Sequence, residues 1–193
     1  VTLLAAASVG VSAVESVVGS TGTDVVTLRG GGELEVSGVE SVVGTTAVDI
    51  LSFNGGTLAI NAIDTVTGST GTTDVLRLLG TGSVALTGVE TLIGTTAATD
   101  VARLLNGGTL AVSGVETVDG TAAGTDRVTM LVAGVLNVSD VETVTGSTGT
   151  DTVKMRTGDA LAVSAVESVF GSTGTRDVVT LLQPTLDDEA AKN

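Results

Sequence analysis

The sequence predicts an all-β chain, a parallel β-solenoid (β-helix or β-roll) of about seven coils of 24 to 26 residues with three short strands per coil. Three observations predict it. One segment recurs seven times, each recurrence contains short runs of alternating apolar and polar residues, and the composition is dominated by Val, Leu, Ala, Thr and 27 Gly with aromatics at 1%. Tandem recurrence at this period marks a unit that cannot bury its apolar face alone and must stack on its neighbours.

The recurring segment joins a Val-Glu-Ser/Thr triplet to a following Asp. It reads VESVVGSTGTD at 14 to 24, VESVVGTTAVD at 39 to 49, IDTVTGSTGTTD at 63 to 74, VETLIGTTAATD at 89 to 100, VETVDGTAAGTD at 115 to 126, VETVTGSTGTD at 141 to 151 and VESVFGSTGTRD at 166 to 177. Each Asp opens a run such as DVVTL, DILSF, DVLRL or DTVKM, in which the second and fourth places after Asp are apolar. This predicts a strand with one buried face. The third place holds Thr27, Ser52, Arg77, Arg103, Thr129, Lys154 and Thr180 and is assigned to solvent. A Gly-rich break follows (RGGGE, NGGT, GTGS), then a second alternating run such as LEVS, LAIN, VALT or LAVS. A short corner leads to the third run, V-[ED]-[ST]-[VL], which ends at Gly19, Gly44, Gly68, Gly94, Gly120, Gly146 and Gly171. Stacked at about 4.8 Å, seven such coils make a rod about 34 Å long.

The array occupies 1–182, beginning mid-coil because VTL at the start matches the end of a DVVTL strand; 183–193, with the single Pro at 184, is expected to be an acidic tail, linker or cap.

Composition narrows the chemistry. With no Cys and no His, disulfides, thiolate metal sites and the commonest general base are excluded. A net charge of −14 with 8 Lys and Arg argues against nucleic acid as a partner and points to cations. Mean hydropathy is +0.51, yet every apolar run is interrupted well short of a membrane span, so no membrane insertion is expected. Polysaccharide-cleaving enzymes use solenoids, but this chain has no Trp or Tyr to platform a sugar and its acids are spread evenly over the repeats. No catalytic residue is assigned.

Two sets of acids are the candidate site. Asp24, Asp49, Asp74, Asp100, Asp126, Asp151 and Asp177 form one expected column; Glu15, Glu40, Asp64, Glu90, Glu116, Glu142 and Glu167 form a second, whose orientation the pattern leaves open. With neighbours about 5 Å apart, each like-charged pair repels by about 1 kcal/mol in water and about 3 to 4 at an effective dielectric near 20. Two offsets are open. Calcium could be shared between the Asp carboxylates and nearby carbonyls, with the Glu set as the lesser candidate ligands, or the Asp could accept hydrogen bonds from Ser/Thr hydroxyls and backbone N–H groups of its own turn.

GSTGTDVVTL at 19 to 28 and GSTGTDTVKM at 146 to 155 resemble the G-G-x-G-x-D-x-U-x nonapeptide of the repeats-in-toxin family, matching at Gly19, Gly22, Asp24 and Val26 in the first coil. The family's roll carries two nonapeptides per coil. The resemblance implies a calcium-dependent β-roll segment of a large bacterial secreted protein held at or beyond the cell surface. The function expected is therefore a structural repeat module of an extracellular protein, such as a surface layer, filament or adhesin stalk, self-associating through solenoid ends or edges. An adhesin segment that binds a ligand is the alternative. An ice-binding solenoid is a lesser one, since the residues before the loop Asp (Thr23, Val48, Thr73, Thr99, Thr125, Thr150, Arg176) do not form a regular Thr array.

Overall fold

The computed structural model describes residues 1–182 except Thr72, Ala98, Ala123, Gly174 and Thr175. The expected tail, 183–193, lies outside the described residues. The fold is a parallel β-solenoid, in which the chain alternates strand by strand between two facing sheets. The odd-numbered strands make an eleven-stranded sheet and the even-numbered ones a ten-stranded sheet, so each strand pairs with the one two places on.

The three runs of each repeat are the three kinds of strand. The short run after the Glu forms β2 (Ser16–Val18), β5 (Ser41–Val43), β8 (Thr65–Thr67), β11 (Thr91–Ile93), β14 (Thr117–Asp119), β17 (Thr143–Thr145) and β20 (Ser168–Phe170). The run after the loop Asp forms β3 (Val25–Leu28), β6 (Asp49–Phe53), β9 (Asp74–Leu78), β12 (Val101–Leu104), β15 (Arg127–Met130), β18 (Thr152–Met155) and β21 (Val178–Leu181). The run after the Gly-rich break forms β1 (Ser8–Val11), β4 (Gly32–Ser37), β7 (Gly56–Asn61), β10 (Ser83–Thr87), β13 (Thr109–Ser113), β16 (Val135–Ser139) and β19 (Ala160–Ser164).

Period and turn therefore differ. Register partners lie 16 residues apart from Val26 to Val42, 18 from Val42 to Ile60 and 18 from Ile60 to Leu78, so three turns consume two repeats. The expected seven coils of three strands become about ten turns of two strands, each repeat spanning one and a half turns. The physical reason is that all three connections reverse the chain onto the opposite sheet, where a three-sided coil would need shallower corners. Two apolar faces then pack directly on each other, and Val, Leu and Ala suffice to fill the gap. An odd number of strands per repeat sends equivalent residues of successive repeats to opposite sheets.

The inward columns are apolar as the alternation requires. Val26, Val42 and Ile60 are stacked in register on one sheet, as are Leu34, Leu51, Val66 and Leu86 on the other, all buried. A fully buried Leu such as Leu76 contributes on the order of 1.5 to 3 kcal/mol. The third place after Asp faces out, with Arg77, Arg103 and Lys154 exposed.

One corner and one glycine fit together at each repeat. The residue that ends the run before the Glu sits in the left-handed region: Ala13, Gly38, Ala62, Gly88, Gly114, Asp140 and Ala165 have φ between 51° and 64°. From Gly38 to Ala165 its carbonyl rests on the Gly that closes the short strand one turn below. A Cβ on Gly94 would lie 1.9 Å from the Gly114 carbonyl oxygen, and one on Gly146 would lie 1.8 Å from that of Ala165.

Gly94→Ala is therefore expected to cost about 3 kcal/mol, the upper range for overpacking, because the obstacle is backbone. Ala62→Gly should gain up to about 1 kcal/mol by relieving a left-handed Ala, less the entropy of the added glycine. Thermal unfolding followed by circular dichroism checks both signs.

A candidate clamp of paired carboxylates

Because successive repeats alternate sheets, the loop Asp residues divide between the two edges of the solenoid. Asp24, Asp74, Asp126 and Asp177 open strands of the eleven-stranded sheet, and Asp49, Asp100 and Asp151 open strands of the ten-stranded sheet on the opposite edge. The single Asp column is thus two half-columns. Along one edge the Asp residues recur every third strand, about 14 Å apart at the usual strand spacing. The Glu set is not a separate column either: from Glu40 to Glu167 each acid stacks on the Asp of the preceding repeat, one strand above it.

Asp24, Asp49, Asp74, Asp100, Asp126 and Asp151 are fully buried, and the surrounding backbone explains how charged groups sit there. Asp100 shows the arrangement. Its Oδ2 accepts the Thr95 N–H at 2.6 Å and the Thr95 hydroxyl at 2.7 Å, from its own loop. Its Oδ1 accepts the Gly82 N–H at 3.2 Å, from the turn below. Its own N–H donates at 2.8 Å to Oε2 of Glu116, from the turn above, and its carbonyl accepts the Glu116 and Thr117 N–H groups. One residue therefore joins three successive turns.

The pattern repeats with Ser20 and Ala7 around Asp24, Thr121 and Gly108 around Asp126, and Ser147 and Gly134 around Asp151. Glu40, Glu90, Glu142 and Glu167 accept the N–H of Asp24, Asp74, Asp126 and Asp151 at 2.6 to 2.7 Å. Their side chains bend back onto the strand below while remaining in contact with solvent. Asp64 does the same for Asp49 at 2.8 Å. Asp177, half-buried near the end of the described array, accepts the Ser172 N–H and hydroxyl at 2.9 Å. Glu15 is exposed, and its carbonyl accepts the Glu35 N–H.

The upper half of the clamp carries a sequence signal that the repeat period hides. Asp to the next acid is 16 residues for Asp24–Glu40, Asp74–Glu90, Asp100–Glu116, Asp126–Glu142 and Asp151–Glu167, and 15 for Asp49–Asp64. Where the connection is one residue shorter, the side chain is one methylene shorter. The hydroxyl residue after each Gly (Ser20, Thr45, Ser69, Thr95, Thr121, Ser147, Ser172) is the other partner legible in the sequence.

Asp49 and Asp74 depart from this pattern: the Gly56 N–H, at φ 92°, donates to the Thr73 carbonyl at 3.4 Å, and Asp74 Oδ1 takes the Ser69 hydroxyl at 3.4 Å. The Gly32 N–H, at φ 147°, turns to the Val48 carbonyl at 3.0 Å, and Asp49 Oδ1 is buried with no partner. Its Oδ2 keeps the Thr45 N–H and hydroxyl at 2.5 and 3.0 Å.

Hydrogen bonding also sets the acidity of Asp24. The Ser20 N–H holds its carboxyl below the ordinary range, against the desolvation that raises it, and the Ser20 hydroxyl and Ala7 N–H add to the lowering.

A calcium site fits these residues poorly. Calcium takes six to eight oxygens, whereas the oxygens of Asp100 face N–H and O–H donors, whose positive ends occupy the directions a cation would take. Among the described residues no group of three or more Asp or Glu side chains converges as a metal site. No protein-family model matches this sequence, and no curated protein or solved structure matches it.

Asp100→Asn should cost about 2 kcal/mol, because its amide must set a donor against either Thr95 or Gly82 and the charge assistance is lost. Asp49→Asn should cost less, about 1 kcal/mol, since the amide nitrogen can occupy the position that meets no donor; urea unfolding of the pair measures the difference. The folded state favours ionised Asp24, so its contribution is complete above the unfolded carboxyl value and is lost as pH falls through the lower folded one. Stability should decline once pH drops below about 4, and Asp24→Asn should flatten that decline in urea titrations at stepped pH.

Proposed function

We propose that the chain is a non-catalytic structural repeat segment of a bacterial extracellular or cell-surface protein, a rod in a surface layer, filament or adhesin stalk, whose turns are held by hydrogen-bonded carboxylates. The observation that carries this reading is the uniformity of the clamp. The same Asp, hydroxyl residue and following acid recur from Asp24 to Asp151 in the same roles, so no repeat diverts its acids to a local site. A catalytic or ligand site breaks repetition; a rod depends on it.

The extracellular placement rests on the resemblance of GSTGTDVVTL to the repeats-in-toxin nonapeptide. The turn is of comparable length: two nonapeptides make eighteen residues, and register partners on successive turns lie 15 apart from Ile50 to Thr65, 18 from Val42 to Ile60 and 20 from Thr65 to Ala85. The outward columns do not favour ice binding, since in the column Thr57, Val75, Thr91, Ala111 and Thr129 the threonines are interrupted by Val and Ala. No helix among the described residues is long and apolar enough to cross a membrane.

Far-UV circular dichroism in excess chelator tests the reading. The chain should show its full β-signal without calcium, and titration calorimetry of the chelated protein should give no binding heat. A β-signal that appears only on adding millimolar calcium would overturn the hydrogen-bonded clamp and make the Asp residues metal ligands.

A further inference from the structure

The outer face of the ten-stranded sheet is charged unevenly along the solenoid axis. On β4, the second strand, Glu33 and Glu35 point outward and are exposed. On β18, the second strand from the other end, Lys154 points outward and Arg156 follows it. The strands between present mostly short side chains, among them Thr65, Thr67, Ala85 and Thr117. Asp119 draws Arg156 to 3.3 Å and Arg103 to 3.7 Å, whereas Lys154, Glu33 and Glu35 make no ion pair among the described residues. The opposite sheet differs: its outward strand positions include Arg77 and Arg127 and no carboxylate, so it is not complementary to itself.

We propose that two copies of this chain pair through the outer faces of their ten-stranded sheets, antiparallel, about a two-fold axis that passes between β10 and β12. The inference rests on the reading of the chain as a structural rod and names the surface by which such rods associate. This operation places the second strand of one copy on the ninth of the other, so Glu35 meets Lys154 twice per dimer. Their lateral positions agree, because the residue equivalent to Glu35 two repeat pairs on is Asn137, the register partner of Lys154. The same operation sets the first strand on the last, and each carries an exposed apolar residue at the same place: Val18 on β2 at 43% exposure and Phe170 on β20 at 56%. Charge and apolar contacts are thus matched by one symmetry element, as an isologous interface requires.

The area is adequate for a weak dimer. Ten strands at about 4.8 Å and about four residues across give a face of roughly 600 Å² per copy. Two such faces bury about 1,200 Å², the lower bound of specific interfaces.

Sedimentation velocity on the folded chain, in whichever calcium condition gives the β-signal, tests the pairing over two decades of concentration. The expected result is a monomer–dimer equilibrium closed at the dimer and weakened by salt. Lys154→Glu and, separately, Glu35→Lys should each raise the dissociation constant at least tenfold, and the two together should restore it to within about threefold, because the swapped pair is again complementary. Phe170→Ser should weaken the dimer without altering the melting curve. A monomer at every concentration overturns the pairing while leaving the rod intact. Open-ended growth that ignores Lys154→Glu overturns it in favour of end stacking. A chain unfolded in chelator bears on the clamp alone.

Discussion

A buried carboxylate that accepts N–H groups from two turns, on a residue whose own N–H is held by a third, is the constraint on which this solenoid depends. A thin core of Val, Leu and Ala supplies cohesion but little direction, since apolar columns can slide by two residues and still face inward. The Asp removes that freedom. Its Oδ2 closes the loop through the hydroxyl residue, its Oδ1 reaches the strand below, and its N–H is taken by the acid above. Glycine at the loop start follows from the same packing: the corner carbonyl of the next turn occupies the place of a side chain.

Magnitudes show why six buried acids on one rod do not repel it apart. A single column at about 5 Å would set each Asp pair against about 3 kcal/mol at an effective dielectric of 20. Division between two edges lengthens the separation to about 14 Å and reduces the repulsion to about 1 kcal/mol, less where solvent intervenes. The close contact that remains, Asp with the next Glu, is bridged by the Asp N–H, and the Asp carboxylate is turned to its own donors.

The outer faces are under different constraints. Inward positions and clamps recur with almost no variation, whereas outward positions exchange Thr, Ser, Ala, Arg and Glu from strand to strand. Two sheets of the same internal order therefore present unlike surfaces, one with acids and cations at opposite ends and one with outward arginines and no carboxylate. A repetitive interior can carry a specific exterior without local cost, because each outward side chain touches only its neighbours on adjacent strands.

Much of this was determined by the sequence alone. Alternation after each Asp assigned Val26, Leu51 and Leu76 to the interior and Arg77, Arg103 and Lys154 to solvent, and three runs per repeat corresponded to three strands. The constant 16-residue step from Asp to the next Glu, with 15 where Asp64 stands in, already recorded the contact between turns. Only the tertiary structure decided how many strands make a turn. Local pattern reports which face of a strand is apolar but not the angle through which a connection bends, and that angle is set by two apolar faces closing on each other. The left-handed corners at Ala13, Ala62, Asp140 and Ala165 belong to the same category, since no glycine announces them and packing alone holds them there. From that one decision came the alternation of repeats between sheets, the division of the acids between two edges and the meeting of Glu with Asp one turn away.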